Sequence, residues 1–217
     1  MHAMILAAGR GERLRPLTDT TPKALIEVAG KPLVVHAIER LYAAGITDIV
    51  INLGWLGGQI RERLDDGAAL GVRIVYSDEG ENTLETAGGI VNALPLLGAE
   101  PFWVVNCDVL CDYPFPDLKL APNDLAHFVL VKNPARKESG DFPLDNGRVG
   151  AENGERLTYA GIGLYRPEFF AGESAERKPL LPLMQRAAAA GRVAGEHYRG
   201  RWLDIGTPER LATARNG

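Results

Sequence analysis

The chain has 217 residues, 46% of them hydrophobic, which is enough to bury a sizeable core in one domain. A net charge of −4 argues against bulk attraction to nucleic acid or to an anionic membrane, so any phosphate binding must rest on a local cluster of cations. The two cysteines, Cys107 and Cys111, form no C-x-x-C pair and indicate no disulfide framework, which fits a reducing cytoplasm.

In chain order, Ala3 to Ala7 is continuously apolar and is broken by Gly9 and Gly11, as expected for a short buried strand. That run is too short to span a bilayer, and the start of the chain lacks the layout of a signal peptide. A polar, proline-punctuated loop from Ala8 to Pro22 follows. Pro32 to Ala44 carries helical spacing (Leu33, Ile38, Leu41) and stops at Gly45. Ile49–Ile51 and Arg73–Tyr76 read as strands, with a short helix around Ile60–Leu64 between them. Thr86–Leu97 reads as a helix entered through Gly88 and Gly89. Phe102–Val105 is a strand ending at Asn106-Cys107-Asp108. Further on, Ala126–Val131 and Thr158–Tyr165 look like strands, and Gly140–Gly154 has the glycine-rich, charged character of hairpins. Leu180–Ala190 is a helix closed by Gly191, and Trp202–Gly206 is a short strand. A last helix starts with Thr207 as N-cap and Pro208 in its first turn. There is no internal repeat, no hexapeptide period and no coiled-coil heptad.

This alternation argues for an α/β layer sandwich built on a parallel sheet. Ligands of such sheets sit at the carboxyl ends of strands. The loop Gly9–Arg13 and Asp108 each follow a strand and are therefore expected on one rim.

The segment Gly9-Arg10-Gly11-Glu12-Arg13-Leu14 is not a dinucleotide fingerprint, because Leu14 stands where a third glycine is needed. Gly30-Lys31-Pro32 likewise fails as a P-loop. Alone, the two glycines would need no more than a tight turn to explain them. Here they are flanked by Arg13, Arg15 and Lys23, and Pro22 fixes the backbone just before Lys23. Glycine lets backbone N–H groups approach a triphosphate closely. Arg13 offers a planar fork to phosphate oxygens, and Lys23 a movable point charge. Arg10 and Arg15 read as solvated surface charges. Asp108 and Asp204 lie among apolar neighbours, and a carboxylate so placed needs a partner. Mg²⁺, which takes one or two carboxylates plus phosphates and waters, would supply one. Sequence spacing does not bring these two aspartates together, and Asp204 also reads as a turn or cap residue before Gly206. Gly88 and Gly89 leave room at a helix start either for a ligand or for packing. Asp141 reads either as a contact for sugar hydroxyls or as a hairpin-turn aspartate.

Leu6-Ala7-Ala8-Gly9-x-Gly11-x-Arg13-Leu14-x-Pro16-Leu17-Thr18, followed by Pro22-Lys23, resembles the signature of the sugar-phosphate nucleotidyltransferases. The resemblance implies a single domain over 1–217. Its fold would be a Rossmann-like three-layer α/β sandwich, with a mostly parallel mixed sheet and a small irregular sugar-binding insertion at roughly 110–165. It implies that Ala8, Gly9, Gly11, Glu12, Arg13, Lys23 and Gly80 bind the nucleotide, with Arg13 and Lys23 acting in catalysis. Asn106 and Asp141 would contact the sugar phosphate, and Asp108 and Asp204 would ligate Mg²⁺. Two positions depart from the pattern: Ala24, where relatives usually carry a second proline, and Cys107, in place of the usual glycine.

Further segments are similar to the branch of the family that transfers a uridylyl group to an amino-sugar phosphate in peptidoglycan recycling. They are Ile51-Asn52-x-x-Trp55-Leu56-Gly57, Leu84-Glu85-Thr86, Asn106-x-Asp108, Gly140-Asp141-Phe142 and Gly195-Glu196-His197-Tyr198-Arg199-Gly200-x-Trp202. The implied partners are UTP and a sugar-1-phosphate, without nucleic acid or membrane, in the cytoplasm. The alternatives are another base or another sugar-1-phosphate, such as glucose- or mannose-1-phosphate, and a non-catalytic nucleotide-sugar sensor. A metal-dependent glycosyltransferase often carries two acids one residue apart, whereas Asp108 is followed by Val109 and Leu110.

Overall fold

Side chains alternate between the two faces of a strand, and here each face finds its own layer. The computed structural model describes residues 1–80, 83–135, 137–150 and 153–216. The elements in chain order are β1 (His2–Leu6), β2 (Glu27–Val28), β3 (Lys31–Pro32), α1 (Leu33–Ala43), β4 (Asp48–Leu53), α2 (Gly57–Leu64), β5 (Arg73–Asp78), α3 (Glu85–Leu97) and β6 (Phe102–Asn106). The rest are β7 (Val109–Cys111), β8 (Ala126–Val131), β9 (Phe142–Asp145), β10 (Arg148–Val149), β11 (Glu155–Tyr165), α4 (Leu181–Ala189), β12 (Val193–His197), β13 (Trp202–Asp204) and α5 (Pro208–Asn216).

The main sheet has nine strands in the order β5-β4-β1-β6-β11-β8-β12-β10-β9. Strands β5, β4, β1 and β6 are mutually parallel. Strand β11 runs antiparallel to both β6 and β8, and β12 runs parallel to β8. On one face Ala3, Ile5, Ile49, Ile51, Trp103, Val105, Val129 and Ile162 pack with Val34, Ile38 and Leu41 of α1 and with Ile60 and Leu64 of α2. On the other, Met4, Val50, Val104, Phe128 and Leu130 pack with Ile90, Ala93 and Leu97 of α3 and with Leu183, Met184 and Ala187 of α4. Leu211 and Ala214 of α5 close a smaller cluster with Leu14, Ile26, Val28, Leu33 and Ile205, behind the glycine loop.

The expected α/β sandwich on a mixed sheet is therefore present. Its parallel part is the first half of the chain, while the second half adds mostly antiparallel pairings. Within the stretch expected as an insertion at roughly 110–165, β8, β9, β10 and β11 belong to the main sheet. All six residues of β8 are buried, and β11 lies between β6 and β8. The ribbon β9–β10 pairs with β12 through β10 and with the start of β11 through β9. Of the hairpin segment, residues 151–152 lie outside the described residues, as does Glu81.

Candidate active site

The carboxyl ends of the parallel strands converge on one cleft of about 600 Å³. Strand β1 delivers Ala7, Ala8 and Gly9, β4 delivers Asn52, the end of β5 delivers Glu79, and β6 delivers Asn106, Cys107 and Asp108. Gly11, Glu12, Arg13, Lys23, Thr83, Glu85, Thr86 and Gly206 complete the lining.

The glycine loop folds back on itself. Gly11 sits at φ +65°, in the left-handed region that favours glycine. A β-carbon there would lie 3.0 Å from Thr18 Cγ2 and 3.1 Å from Lys23 Cβ. Gly11 thus lets Lys23 approach the loop, and the Thr18 hydroxyl donates to Gly11 O at 2.9 Å. The turn around Ala24 keeps its shape without a second proline. Leu25 N–H donates to Pro22 O (2.8 Å), Ile26 N–H donates to Lys23 O (3.1 Å), and the Ala24 side chain is fully buried. The Lys23 ammonium donates to the Asp108 carboxylate.

The two aspartates are brought together by an antiparallel pair that joins distant parts of the chain. Strand β7 begins directly after Asp108, and its Val109 pairs with Asp204 of β13. Ile205 N–H then donates to Asp108 O at 2.8 Å. Asp204 is ion-paired with Arg210 of α5. Its carboxylate borders Gly206 in the cleft wall: a β-carbon on that glycine would lie 3.3 Å from Asp204 Oδ2 and 3.0 Å from Arg13 Nη2. Arg13, Lys23, Asp108 and Asp204 are thus neighbours.

The donor chemistry suits Mg²⁺. Two hard carboxylates, Asp108 just before β7 and Asp204 at the end of β13, stand where those strands pair, each balanced here by a cationic side chain. No group of three or more potential metal ligands occurs among the described residues. Such a site would complete its coordination with phosphate oxygens and water. From α1, Arg40 donates to Val109 O (2.9 Å) and Cys111 Sγ (2.5 Å), fixing β7 immediately after Asp108.

A model of the nucleotidyl transferase family matches residues 2–139. The chain belongs to the nucleotidyl transferase family. The N-acetylmuramate alpha-1-phosphate uridylyltransferase of Neisseria meningitidis is 50% identical to it, over 99% of this chain and 97% of that protein. The protein of the same name from Caulobacter vibrioides is 36% identical, over 95% of this chain and 92% of its own. A solved structure of a putative glucose-1-phosphate thymidylyltransferase from Bacillus anthracis superimposes with a TM-score of 0.84. At 21% identity, covering 100% of this chain and 94% of that one, it bears on the fold.

In this nucleotidyl transferase the cleft is lined by Leu6, Ala7, Ala8, Gly9, Gly11, Arg13 and Lys23 of the sequence signature, while Leu14, Pro16, Leu17, Thr18 and Pro22 lie outside its lining. Several lining residues nevertheless escaped sequence reasoning. Asn52 accepts the Ala7 N–H (2.7 Å) and donates to Glu79 Oε1 (2.6 Å), and Glu79 Oε2 accepts the Leu84 N–H (2.7 Å). Burial pushes the Glu79 carboxyl above its ordinary range. Asn52 and Glu79 stood only inside longer motifs, and no local pattern marked them as partners.

Glu85 and Thr86 at the start of α3 line the cleft, but Gly88 and Gly89 leave no open ligand site. Ala87 N–H and Gly88 N–H donate to Lys178 O at 3.0 and 3.3 Å. A β-carbon on Gly88 would fall 1.9 Å from Glu176 O, and one on Gly89 would fall 2.3 Å from Glu79 Oε1. The protein itself fills the space those glycines leave.

Cys107 is buried in the core cluster, and burial pushes its thiol up to about 12, so it packs as a small apolar side chain. Gly80 lies across the rim in an adjoining cavity with Arg10, Trp55 and Thr83. Arg10 stacks over the Trp55 ring at 4.2 Å. Arg15 makes an exposed ion pair with Asp19 at 3.1 Å. Asn106 lines both the main cleft and a second cavity that also contains Asp141. The Asp141 carboxylate is tied to Lys137 Nζ (2.5 Å) and the Tyr159 N–H (2.9 Å). No described helix is long and apolar enough to cross a membrane.

Proposed function

We propose that this nucleotidyl transferase is a Mg²⁺-dependent cytoplasmic enzyme that converts UTP and N-acetylmuramate-1-phosphate to UDP-N-acetylmuramate and pyrophosphate in peptidoglycan recycling. The observation that carries the reading is that Arg13, Lys23 and Asp108 line one cleft, with Asp204 beside them next to Gly206, in a chain half identical to a relative of that name.

The reaction is an in-line displacement. A sugar-phosphate oxygen attacks the α-phosphorus, a new P–O bond forms, and the bond to the β-phosphate oxygen breaks. Pyrophosphate leaves with the electron pair. No general base is needed, because the attacking phosphate is already ionised near pH 7. Both substrates are anions, so positioning and charge neutralisation carry the catalysis. Ala8, Gly9, Gly11 and Glu12 line the bed for the nucleotide phosphates, and Gly80 offers its backbone toward the base. Arg13 binds the phosphate oxygens in its planar fork, and Lys23 exchanges its partner Asp108 for the reacting phosphates. Asn106 and Asp141 orient the sugar phosphate. Asp108 and Asp204 would hold the Mg²⁺, which supplies electrostatic stabilisation to charge on the phosphates.

The test is pyrophosphate release with Mg²⁺, across four nucleoside triphosphates and a panel of sugar-1-phosphates. Release confined to UTP with N-acetylmuramate-1-phosphate is the expected result. Release with another pair keeps the chemistry and replaces the substrate. No release with any pair favours a nucleotide-sugar sensor.

A further inference from the structure

The second cavity, about 450 Å³, opens from the nucleotide cleft past Leu6, Glu85, Thr86 and Asn106. Its two carboxylates are committed. Glu85 Oε1 lies 3.0 Å from Arg177 Nε, and the Asp141 carboxylate is held by Lys137 and the Tyr159 N–H. Glu85 itself adopts φ +57°, a strained conformation for a side chain of this type, at the junction of the two cavities.

The remaining wall is apolar. It consists of Phe142 from β9, Tyr159 from β11, and Leu180, Leu181 and Met184 at the start of α4. Tyr159 contributes its ring and not a free hydroxyl, because its Oη lies 3.0 Å from Tyr165 Oη. Phe142, Leu180 and Met184 are almost fully buried, whereas Leu181 remains 46% exposed. The helix that carries it is anchored, with Leu183, Ala187 and Ala188 in the core.

Such a wall discriminates by chemistry. A sugar hydroxyl pressed against it loses its water partners and gains none, whereas a methyl group is favoured there. We propose that this apolar wall, with Leu181 at its exposed tip, sets sugar specificity by reading a methyl-ended substituent on the ring. It would select a substituted amino-sugar-1-phosphate over an unsubstituted hexose-1-phosphate. N-acetylmuramate fits that class, since its acetyl group ends in a methyl and its lactyl ether carries one beside a carboxylate. The inference rests on the reading of this cleft as a sugar-1-phosphate site and adds what chooses the sugar.

The experiment compares kcat and KM for N-acetylmuramate-1-phosphate and glucose-1-phosphate, with UTP and Mg²⁺, in the wild-type chain, Leu181→Ser and Leu181→Met. Leu181 is half-exposed, so an unchanged melting temperature is expected and separates specificity from folding. The wild type should prefer the substituted sugar. Leu181→Ser should cut that preference about tenfold, the scale of one or two apolar groups in a pocket, mainly through KM. Leu181→Met, which restores an apolar tip, should recover it. A wild-type preference that Leu181→Ser leaves unchanged, or a loss equal for both sugars, overturns the inference alone. A wild type without preference overturns it together with the substrate reading.

Discussion

The two halves of the sheet end in cavities of different chemical character. The parallel half, β5-β4-β1-β6, ends in a cleft that carries Arg13, Lys23 and Asp108. The half beyond β6 ends in a cavity whose wall is mainly Phe142, Tyr159, Leu180, Leu181 and Met184. A phosphate needs point charges at the end of a rigid strand, whereas a ring substituent needs a shaped apolar surface. The first comes from single residues in short loops, and the second from side chains that tertiary packing assembles. If that division holds, substitutions in the first half lower turnover alike for every sugar, and those in the second change the ratio between sugars.

The largest expected effect is that of Asp108→Asn. Turnover should fall on the order of 10³-fold or more with any sugar, while the melting temperature stays near wild type. Retained Mg²⁺-dependent activity would remove Asp108 from the metal site. Lys23→Ala comes next, with kcat lowered by roughly 10²- to 10³-fold, the scale of a lost donor to developing charge. An unchanged kcat would leave Lys23 only as the partner of Asp108. Gly11→Ala forces a side chain into φ +65° against Thr18 and Lys23, so a loss of about 1–3 kcal/mol in stability or in transition-state binding is expected. Calorimetry and steady-state kinetics would divide it, and wild-type values in both would show that the loop can relax. Leu181→Ser, by contrast, should act on the sugar ratio.

The smallest effects sit in buried or screened groups. Cys107, with its thiol pushed up to about 12, should resist alkylation at pH 8 in the folded chain. Mass spectrometry of reagent-treated native protein would detect its modification, and rapid labelling would contradict the burial. In the second half, the contact from His127 (Nε2 to Oε1, 3.2 Å) holds the Glu196 carboxyl below its ordinary range, aided by the Tyr113 hydroxyl and opposed by burial. A depressed carboxyl contributes stability above its unfolded pKa and loses it as pH falls through the folded one. Glu196→Gln should therefore cost less than about 1 kcal/mol at neutral pH, because the group is partly solvated, and nothing once the carboxyl is protonated. A denaturant series at pH 7 and pH 3 measures both; an equal cost at the two pH values would rule out the charge as its source.

Local sequence determined much of the first half. Ala3–Ala7, Ile49–Ile51 and Phe102–Val105 declare buried strands by their unbroken apolar runs. The glycines and cations between Gly9 and Lys23 declare a tight, cation-bearing loop at the end of β1, because those constraints act over a few neighbouring residues. Tertiary structure alone decided the rest. Val193–His197 has too few branched or aromatic residues to announce a strand, and becomes one by pairing beside β8. Asp204 meets Asp108 only through the β7–β13 pair, and Asn52 meets Glu79 only because β4 and β5 lie side by side. The apolar wall of the second cavity draws on β9, β11 and α4, and the glycines of α3 serve packing against Glu176 and Glu79. Hydrophobic periodicity and turn chemistry act over a few residues, whereas pairings between distant segments are chosen by how well the whole chain buries its apolar surface.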